Sequence, residues 1–375
     1  MTETRKSTKT RVALLFGGRS SEHAVSCVTA AGVMGAIDAE KYEVVPIGIT
    51  REGQWVLSRG DWHRWALNAG HPPEVEPSSE TVRLSESDGA AHLVVTEPNQ
   101  VPRELGDVDV VFPLLHGAFG EDGTVQGLLE LADVRYVGAG VLASAVGMDK
   151  HFMKVAFEAA GLSVGPYVTV TDKEWRRDPQ AVRDAVGRLG FPVFVKPCRA
   201  GSSVGISKVD GPEGLDAAIA EARRHDLRLV IEAGITGREI ECGVLEGRGC
   251  DAPRTSLPGE IVVQGGQHAF YDFEAKYVEN DAASLSCPAD LPQEAIDRVR
   301  ELAATAFDAV SGEGLSRVDF FYTPEGEFVI NEINTMPGFT PISMYPAMWA
   351  ATGIGYRELI DELIQLALAR PTGLR

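Results

Sequence analysis

The side chains with the most chemistry in prospect lie between Arg317 and Asn334, in the run Arg-Val-Asp-Phe-Phe-Tyr-Thr-Pro-Glu-Gly-Glu-Phe-Val-Ile-Asn-Glu-Ile-Asn. Two stretches rich in aromatic and β-branched residues flank a Pro-Glu-Gly turn, which is a β-hairpin signal. Pairing Tyr322 with Glu327 sets Asp319 opposite Ile330 and Arg317 opposite Glu332. Side chains alternate along a strand, so Arg317, Asp319, Ile330, Glu332 and Asn334 then share one face. Opposed residues sit about 5 Å apart and diagonal ones about 7–8 Å. Asp319, Glu332 and Asn334 are thus within reach of one hard cation, and two carboxylates with an amide oxygen suit Mg²⁺. The plainer alternative is a surface hairpin in which Glu332 pairs with Arg317, a contact of about 0–1 kcal/mol when exposed.

A second chemical feature lies upstream. Lys196 sits in the apolar run Pro-Val-Phe-Val-Lys-Pro, where an unpaired ammonium is costly, so it requires an anionic partner. Cys198 to Gly205 follows at once, with Gly201, Ser202, Ser203 and Gly205 able to offer successive N–H groups to phosphate oxygens. The pattern is not a P-loop, which needs Gly-Lys-Ser/Thr opening a helix. It reads as a phosphate flap, with a simple hairpin turn as the alternative. Lys150 alone reads as a solvated helix lysine. His116 stands at the end of a strand before Gly117, Gly120 and Gly123, as a site candidate or a turn histidine.

The elements that must position these groups alternate between strands and helices. Val12–Phe16 is a buried strand, followed by Gly17-Gly18-Arg19-Ser20-Ser21 and a helix from about Glu22. Such a unit puts the helix N-terminus at the carboxyl edge of a parallel sheet, where α/β proteins bind ligands. It is not a GxGxxG fingerprint. Tyr42–Ile49 and Asp109–Leu115 are further strands, with a helix from about Thr124. Residues 58–107 read as irregular. One helix is expected across Met148-Asp149-Lys150, then strands at Leu227–Glu232 and Ile240–Leu245. Gly265-Gly266 opens a long polar loop, reaching to Cys287-Pro288, that reads as a water-excluding lid. An amphipathic helix spans 293–311, and Glu358–Ala369 is a closing helix. The predicted class is α/β (α+β).

Composition bounds the partners. The 375 residues suffice for two or three domains with ample core. A net charge of −19 argues against nucleic-acid or anionic-membrane binding, both of which need a basic surface. Any anionic ligand must be met by local lysines, arginines, backbone N–H groups or metal. No apolar run is long enough to span a bilayer, and the polar N-terminus lacks an apolar signal core. Five cysteines with no metal-like spacing fit a reducing cytosol, so a cytoplasmic location is expected. Cys198 lacks any evident activating base.

Taken in order, Gly17-Gly18-Arg19-Ser20-Ser21-Glu22, the His116–Gly123 run, Met148-Asp149-Lys150, Lys196 with the Gly201–Gly205 loop, Glu274-Ala275-Lys276-Tyr277 and Asn331-Glu332-Ile333-Asn334-Thr335-Met336-Pro337-Gly338 resemble D-alanine–D-alanine ligases of the ATP-grasp superfamily. The resemblance covers the chain from Val12 to about Tyr345. It implies a three-domain ATP-grasp architecture. Residues 1–10 would be a disordered tail, 11–139 a substrate-binding domain with a Rossmann-like parallel sheet, 140–232 the central subdomain with the phosphate loop, and 233–375 the C-terminal subdomain with the lid and metal site. It also implies a homodimer and a two-step reaction. ATP phosphorylates the carboxylate of one D-alanine, and the amine of a second attacks the acyl phosphate.

Residue by residue, the resemblance gives Glu22 to the first ammonium, with His116 beside that substrate. Glu22, Ser202 and Tyr277 form a hydrogen-bonded trio that fastens the closed loop. Arg317 and the N–H of Gly338 form an oxyanion site, and Ser343 and Met344 hold the second carboxylate. Glu232 and Glu239 contact adenine and ribose; Lys150, Lys196 and Ser203 meet the nucleotide phosphates, and Lys276 adds positive charge on the lid. Asp319, Glu332 and Asn334 hold two Mg²⁺, with Mn²⁺ able to substitute. Relatives that make D-alanyl-D-lactate lack the Glu-Ala-Lys-Tyr form of the lid, so its presence favours D-alanine as second substrate; a sister ligase making D-alanyl-D-lactate or D-alanyl-D-serine is the alternative.

Overall fold

The computed structural model describes residues 9–66, 72–87, 90–263 and 283–372. Three sheets carry the chain. The first is built on β1 (Thr10–Gly17), which is followed by α1 (His23–Ala36) and flanked in parallel by β2 (Tyr42–Ile49) and β7 (Val110–Pro113). Val12, Leu14 and Phe16 are buried towards one face and Ala13 and Leu15 towards the other, because both faces are covered. The expectation of irregular structure over 58–107 is corrected. β3 (Trp55–Leu57), β4 (Thr81–Ser87), β5 (Ala90–Thr96) and β6 (Arg103–Asp107) extend the sheet antiparallel, in the order β6-β5-β4-β3-β2-β1-β7. The pattern behind this is period two: Val82, Leu93 and Val95 are buried, while Thr81, Arg83, Val94 and Thr96 beside them are not. Prolines and acids between these short strands hid the alternation.

The crossover carries α2 (Thr124–Leu131), α3 (Val141–Met148) and α4 (Lys150–Ala159). The single helix expected across Met148-Asp149-Lys150 is two. Asp149 breaks it and caps α4, its Oδ1 accepting from the N–H groups of His151 at 3.1 Å and Phe152 at 3.4 Å. Aspartate competes for free N–H groups and prefers this position to a helix interior.

The second sheet, order β10-β9-β11-β8, is antiparallel. It takes β8 (Tyr167–Thr171), β9 (Val193–Pro197), β10 (Ser207–Val209) and β11 (Arg228–Ala233), with α5 (Asp172–Arg177), α6 (Pro179–Gly187) and α7 (Leu215–Ala222) between them. The third sheet runs β15-β14-β12-β16-β17, with β13 beside β12. Its strands are β12 (Arg238–Leu245), β13 (Arg254–Thr255), β14 (Gly259–Val263), β15 (Ala283–Ser286), β16 (Leu315–Tyr322) and β17 (Phe328–Asn334). The far end of the expected lid is therefore a strand; the rest of that loop lies outside the described residues. α8 (Gln293–Ala309) covers this sheet through Val299, Ala303 and Phe307.

α9 (Met344–Thr352) and α10 (Tyr356–Ala369) close the chain. Their apolar faces turn back to the first sheet: Met348, Trp349, Leu359 and Leu363 join Phe16, Phe112 and Phe339 in one core. This return brings the end of β17 against the carboxyl edge of the first sheet. Among the described residues no helix is long and apolar enough to cross a membrane. Leu363→Ala should cost about 2–5 kcal/mol by opening a cavity in this shared core, where the side chain is 1% exposed. Leu131→Ala, at 84% exposure, should stay within about 0.5 kcal/mol. Denaturant midpoints of the two variants check the contrast.

Candidate active site

The hairpin is present, with a register that differs from the expected one. Tyr322 pairs with Phe328 and Phe320 with Ile330; after an irregularity, Asp319 pairs with Glu332 and Arg317 with Asn334. The turn is longer than assumed: Thr323 donates its N–H to Glu327 O at 2.9 Å, and Gly326 takes φ +86°. A slip of one residue alone would have turned every side chain over. The extra residue, Asn331, turns the later ones back. The bulge returns Glu332 and Asn334 to the face of Arg317 and Asp319, while Ile330 joins the apolar core beneath α8.

Arg317 holds Asp319 through two bonds, Nε to Oδ1 at 2.7 Å and Nη2 to Oδ2 at 2.6 Å. Its Nε also lies 3.2 Å from Glu241 Oε1, on neighbouring β12. Burial works against the guanidinium charge, but Asp319 and Glu241 outweigh it and hold the pKa well above the ordinary value. Asn334 Nδ2 donates to Asp319 Oδ2 at 2.9 Å. Glu332 Oε2 stands 3.7 Å from Lys150 Nζ, which donates to Ala200 O at 2.9 Å. The solvated lysine expected at 150 is thus a cleft lysine.

Lys196 has the anionic partner it required: its Nζ lies 2.6 Å from Glu232 Oε2. The other oxygen, Oε1, is 2.9 Å from Lys154 Nζ. Burial favours the protonated acid, yet the two ammonium groups overcome it and hold the Glu232 carboxyl down at about 2. Lys154 escaped the sequence reading, although it lies one helical turn beyond Lys150, on the same face.

Residues 198–206 connect antiparallel β9 and β10, so the flap is also a hairpin connection. Ser202 and Ser203 adopt φ of +47° and +58°, a left-handed conformation rare for residues with a Cβ. This geometry sends Ser202 Oγ to Glu22 Oε1, to which it donates at 2.5 Å. Glu22 precedes α1 as its N-cap residue, without a capping side-chain bond. Its carboxylate fits between two glycines: a Cβ on Gly117 or Gly201 would stand 2.6 or 2.9 Å from Glu22 Oε2.

Behind Glu22, His116 is buried. Its Nδ1 contacts Met336 O at 3.1 Å and, facing a carbonyl, must carry the proton. Burial is the main cause that lowers its pKa, so the ring is held towards the neutral form. The sequence reading also passed over Glu121, within the same glycine-rich run. Its carboxylate accepts from Gly117 N–H at 2.6 Å and Met336 N–H at 3.2 Å. Burial, reinforced by Glu22, pushes it up to about 8.

These groups enclose one cleft of about 400 Å³ between the three sheets. Its wall brings together Glu22, His116, Ser202, Ser203 and Gly338 with Arg317, Asp319, Glu332 and Asn334 and with Lys150, Lys196, Glu232 and Glu239. Ser343 and Met344 are not on that wall. Ser343 Oγ accepts from Thr340 N–H at 3.1 Å, and Met344 is buried in the core. Lys276 and Tyr277 lie outside the described residues. Burial pushes the Cys198 thiol up to about 12, in keeping with a packing role.

Comparison with known proteins shows the family. Residues 11–139 match the family model for the D-ala D-ala ligase N-terminus and 156–365 that for the D-ala D-ala ligase C-terminus. A D-alanine–D-alanine ligase of Pseudarthrobacter chlorophenolicus is 76% identical over 367 residues, covering 98% of this chain and 96% of that one. One from Streptomyces coelicolor is 56% identical, covering 97% and 95%. Among solved structures, the VanG D-Ala:D-Ser ligase of Enterococcus faecalis superposes with a TM-score of 0.81 at 37% identity, covering 96% and 99%. The D-alanine–D-alanine ligase of Coxiella burnetii gives 0.78 at 34%, covering 96% and 94%. The chain therefore belongs to the D-alanine–D-alanine ligase family.

Proposed function

We propose that this protein joins two D-alanines into D-alanyl-D-alanine at the expense of ATP, in the cytoplasm, for peptidoglycan precursors. The observation that carries the reading is one cleft whose wall brings Asp319 and Glu332 together with Arg317, Lys150 and Lys196. Phosphoryl transfer is mostly positioning and charge neutralisation. Lys150 and Lys196 meet the nucleotide phosphates beneath the N–H groups around Ser203, with Glu232 and Glu239 towards the nucleoside. Glu22, with Glu121 behind it, receives the ammonium of the first D-alanine, while neutral His116 adds no charge to repel it. The carboxylate of that D-alanine attacks the γ-phosphorus and ADP leaves. The amine of the second D-alanine then attacks the acyl carbon; Arg317 and the N–H of Gly338 stabilise the developing oxyanion. Phosphate leaves as the peptide bond forms. The N-terminus of α9, with Ser343 and Met344 N–H, receives the second carboxylate. The resemblance gives Lys276 and Tyr277, outside the described residues, the task of shielding the intermediate, which water would otherwise destroy.

The donor set fits a hard cation. Asp319 and Glu332 are directly paired, Asn334 adjoins them, and all three face the cleft. Among the described residues no group of three or more His, Cys, Asp or Glu is arranged to hold a metal, so the remaining ligands fall to Asn334, phosphate and water. Asp319, Glu332 and Asn334 would hold Mg²⁺, or Mn²⁺ in its place, which when bound neutralises phosphate charge.

The direct test mixes protein, ATP, Mg²⁺ and D-alanine and follows ADP. D-alanine-dependent release is expected, and its absence refutes the proposal. With D-alanine, D-lactate and D-serine in competition, mass spectrometry should find mainly D-alanyl-D-alanine. Glu332→Gln should lower turnover on the order of 10²-fold, as one charged group at the reacting phosphate is lost. Its unfolding free energy should stay within about 1 kcal/mol, because its ion pair with Lys150 is long and part-exposed.

Glu121 sets a pH dependence of stability. Its carboxyl titrates near 8 in the fold against 4.5 ordinarily, so the native state binds that proton more tightly than the unfolded chain does. The stabilisation is complete below about 4.5 and is lost as pH rises towards about 8. Glu121→Gln lacks this loss. Without ligands, the variant's melting temperature should therefore gain on the parent's steadily from pH 5 to pH 8. A constant difference would show that Glu121 is ionised throughout.

A further inference from the structure

The scheme above leaves a buried cation of the cleft wall without a task. Lys154, on α4, is 2% exposed, deeper than either lysine assigned to phosphate. Its Nζ lies 2.9 Å from Glu232 Oε1 and 5.5 Å from the centre of the Tyr167 ring. Lys196 lies 2.6 Å from the other oxygen of the same carboxylate. Glu232 therefore holds one ammonium per oxygen, and either contact can part without disturbing the other. A buried carboxylate with a single cation would keep it, because losing it would leave an uncompensated charge in a poorly solvated place. With only Lys196 for a partner, Glu232 would compete with any phosphate for that lysine.

We propose that Lys154 is a positioning residue for nucleotide binding: it neutralises Glu232 so that Lys196 can turn to the phosphate chain. This rests on the reading of Lys196 as a phosphate ligand. Lys154 also borders the cleft, but its Nζ is engaged by Glu232 Oε1 at 2.9 Å, and it acts through that carboxylate. Glu332 and Glu239 also face Lys196, so the cation leaves one acidic neighbourhood for a phosphate that must outbid it. A permanent partner for Glu232 lowers that barrier. Glu232 in turn stays charged and fixed at the cleft wall whether or not the nucleotide is present.

The test compares Lys154→Met, Lys154→Arg and Lys196→Met in the full-length protein. It measures kcat, KM for ATP and for D-alanine, and calorimetric binding of a non-hydrolysable ATP analogue. Lys154→Met should weaken nucleotide affinity about tenfold or more, the scale of one charged hydrogen bond. KM for D-alanine should stay within about twofold, since Glu22 and His116 are untouched. Lys154→Arg, which keeps the charge, should recover most of the loss. If Lys154→Met does not fold, Lys154→Gln replaces it with the same expected values. Unchanged nucleotide affinity overturns the proposal. So does an equal shift for both substrates that arginine does not repair, the mark of a purely structural lysine. Lys196→Met separates the two levels: if it binds the analogue as the parent does, the phosphate role of Lys196 is wrong and the proposal falls with it. If it loses binding while Lys154→Met does not, only the proposal falls.

Discussion

An ion removed from water must be compensated where it lies, and the interior of the cleft is laid out by that requirement. Arg317 is buried with Asp319 and Glu241, and Glu232 is buried between Lys154 and Lys196. Buried ion pairs add little net stability, because desolvation offsets attraction. Their persistence here is better explained by what they keep available. Each contains a charged group that a phosphate, a metal ion or an oxyanion can engage when a ligand arrives. In a chain of net charge −19, cations collected this way are the means of meeting an anionic substrate.

The same constraint explains what was legible in the sequence. Lys196 was readable because an ammonium among valines and prolines demands a partner, and the partner is there. The hairpin was readable from its aromatic and β-branched runs. Its register was not, since loop length and a bulge are set by hydrogen bonds around Thr323 and Gly326 rather than by residue type. Two departures, one at the turn and one at Asn331, cancelled for Glu332 and Asn334, so the right residues share a face for a reason the pattern did not contain. Ile330 exposes the difference, because it lies in the core instead.

Residues that work through neighbours were the hardest to see. Lys154 and Glu241 lack a motif that marks them, and Glu121 lies in the His116–Gly123 run with no signal of its own; each is one charged residue in a helix, turn or strand. Their significance arises from long-range pairing, as when Glu121 binds Gly117 and Met336, which are far apart in the chain. The strands between Thr81 and Asp107 were missed for another cause. Short edge-side strands interrupted by Pro and Ser carry a weak alternation, and their identity comes from the sheet they extend.

The return of the last helices gives the cleft its geometry. Because α9 and α10 are packed into the core of the first sheet, Phe339 and Trp349 fix the segment after Asn334 against Phe112 and Phe16. Met336 can then bond both His116 and Glu121, so the end of β17 and the loop after His116 are held together by the backbone groups of one residue. Glu22 reaches the same point from the first sheet and is seated by Ser202 from the second. The first and second sheets thus meet at the Glu22 carboxylate and the first and third at Met336, with glycines at 117 and 201 where a Cβ would intrude on Glu22. A chemistry that must bring an amino acid and a nucleotide phosphate into line needs such a meeting point, and side chains on one sheet alone could not supply it.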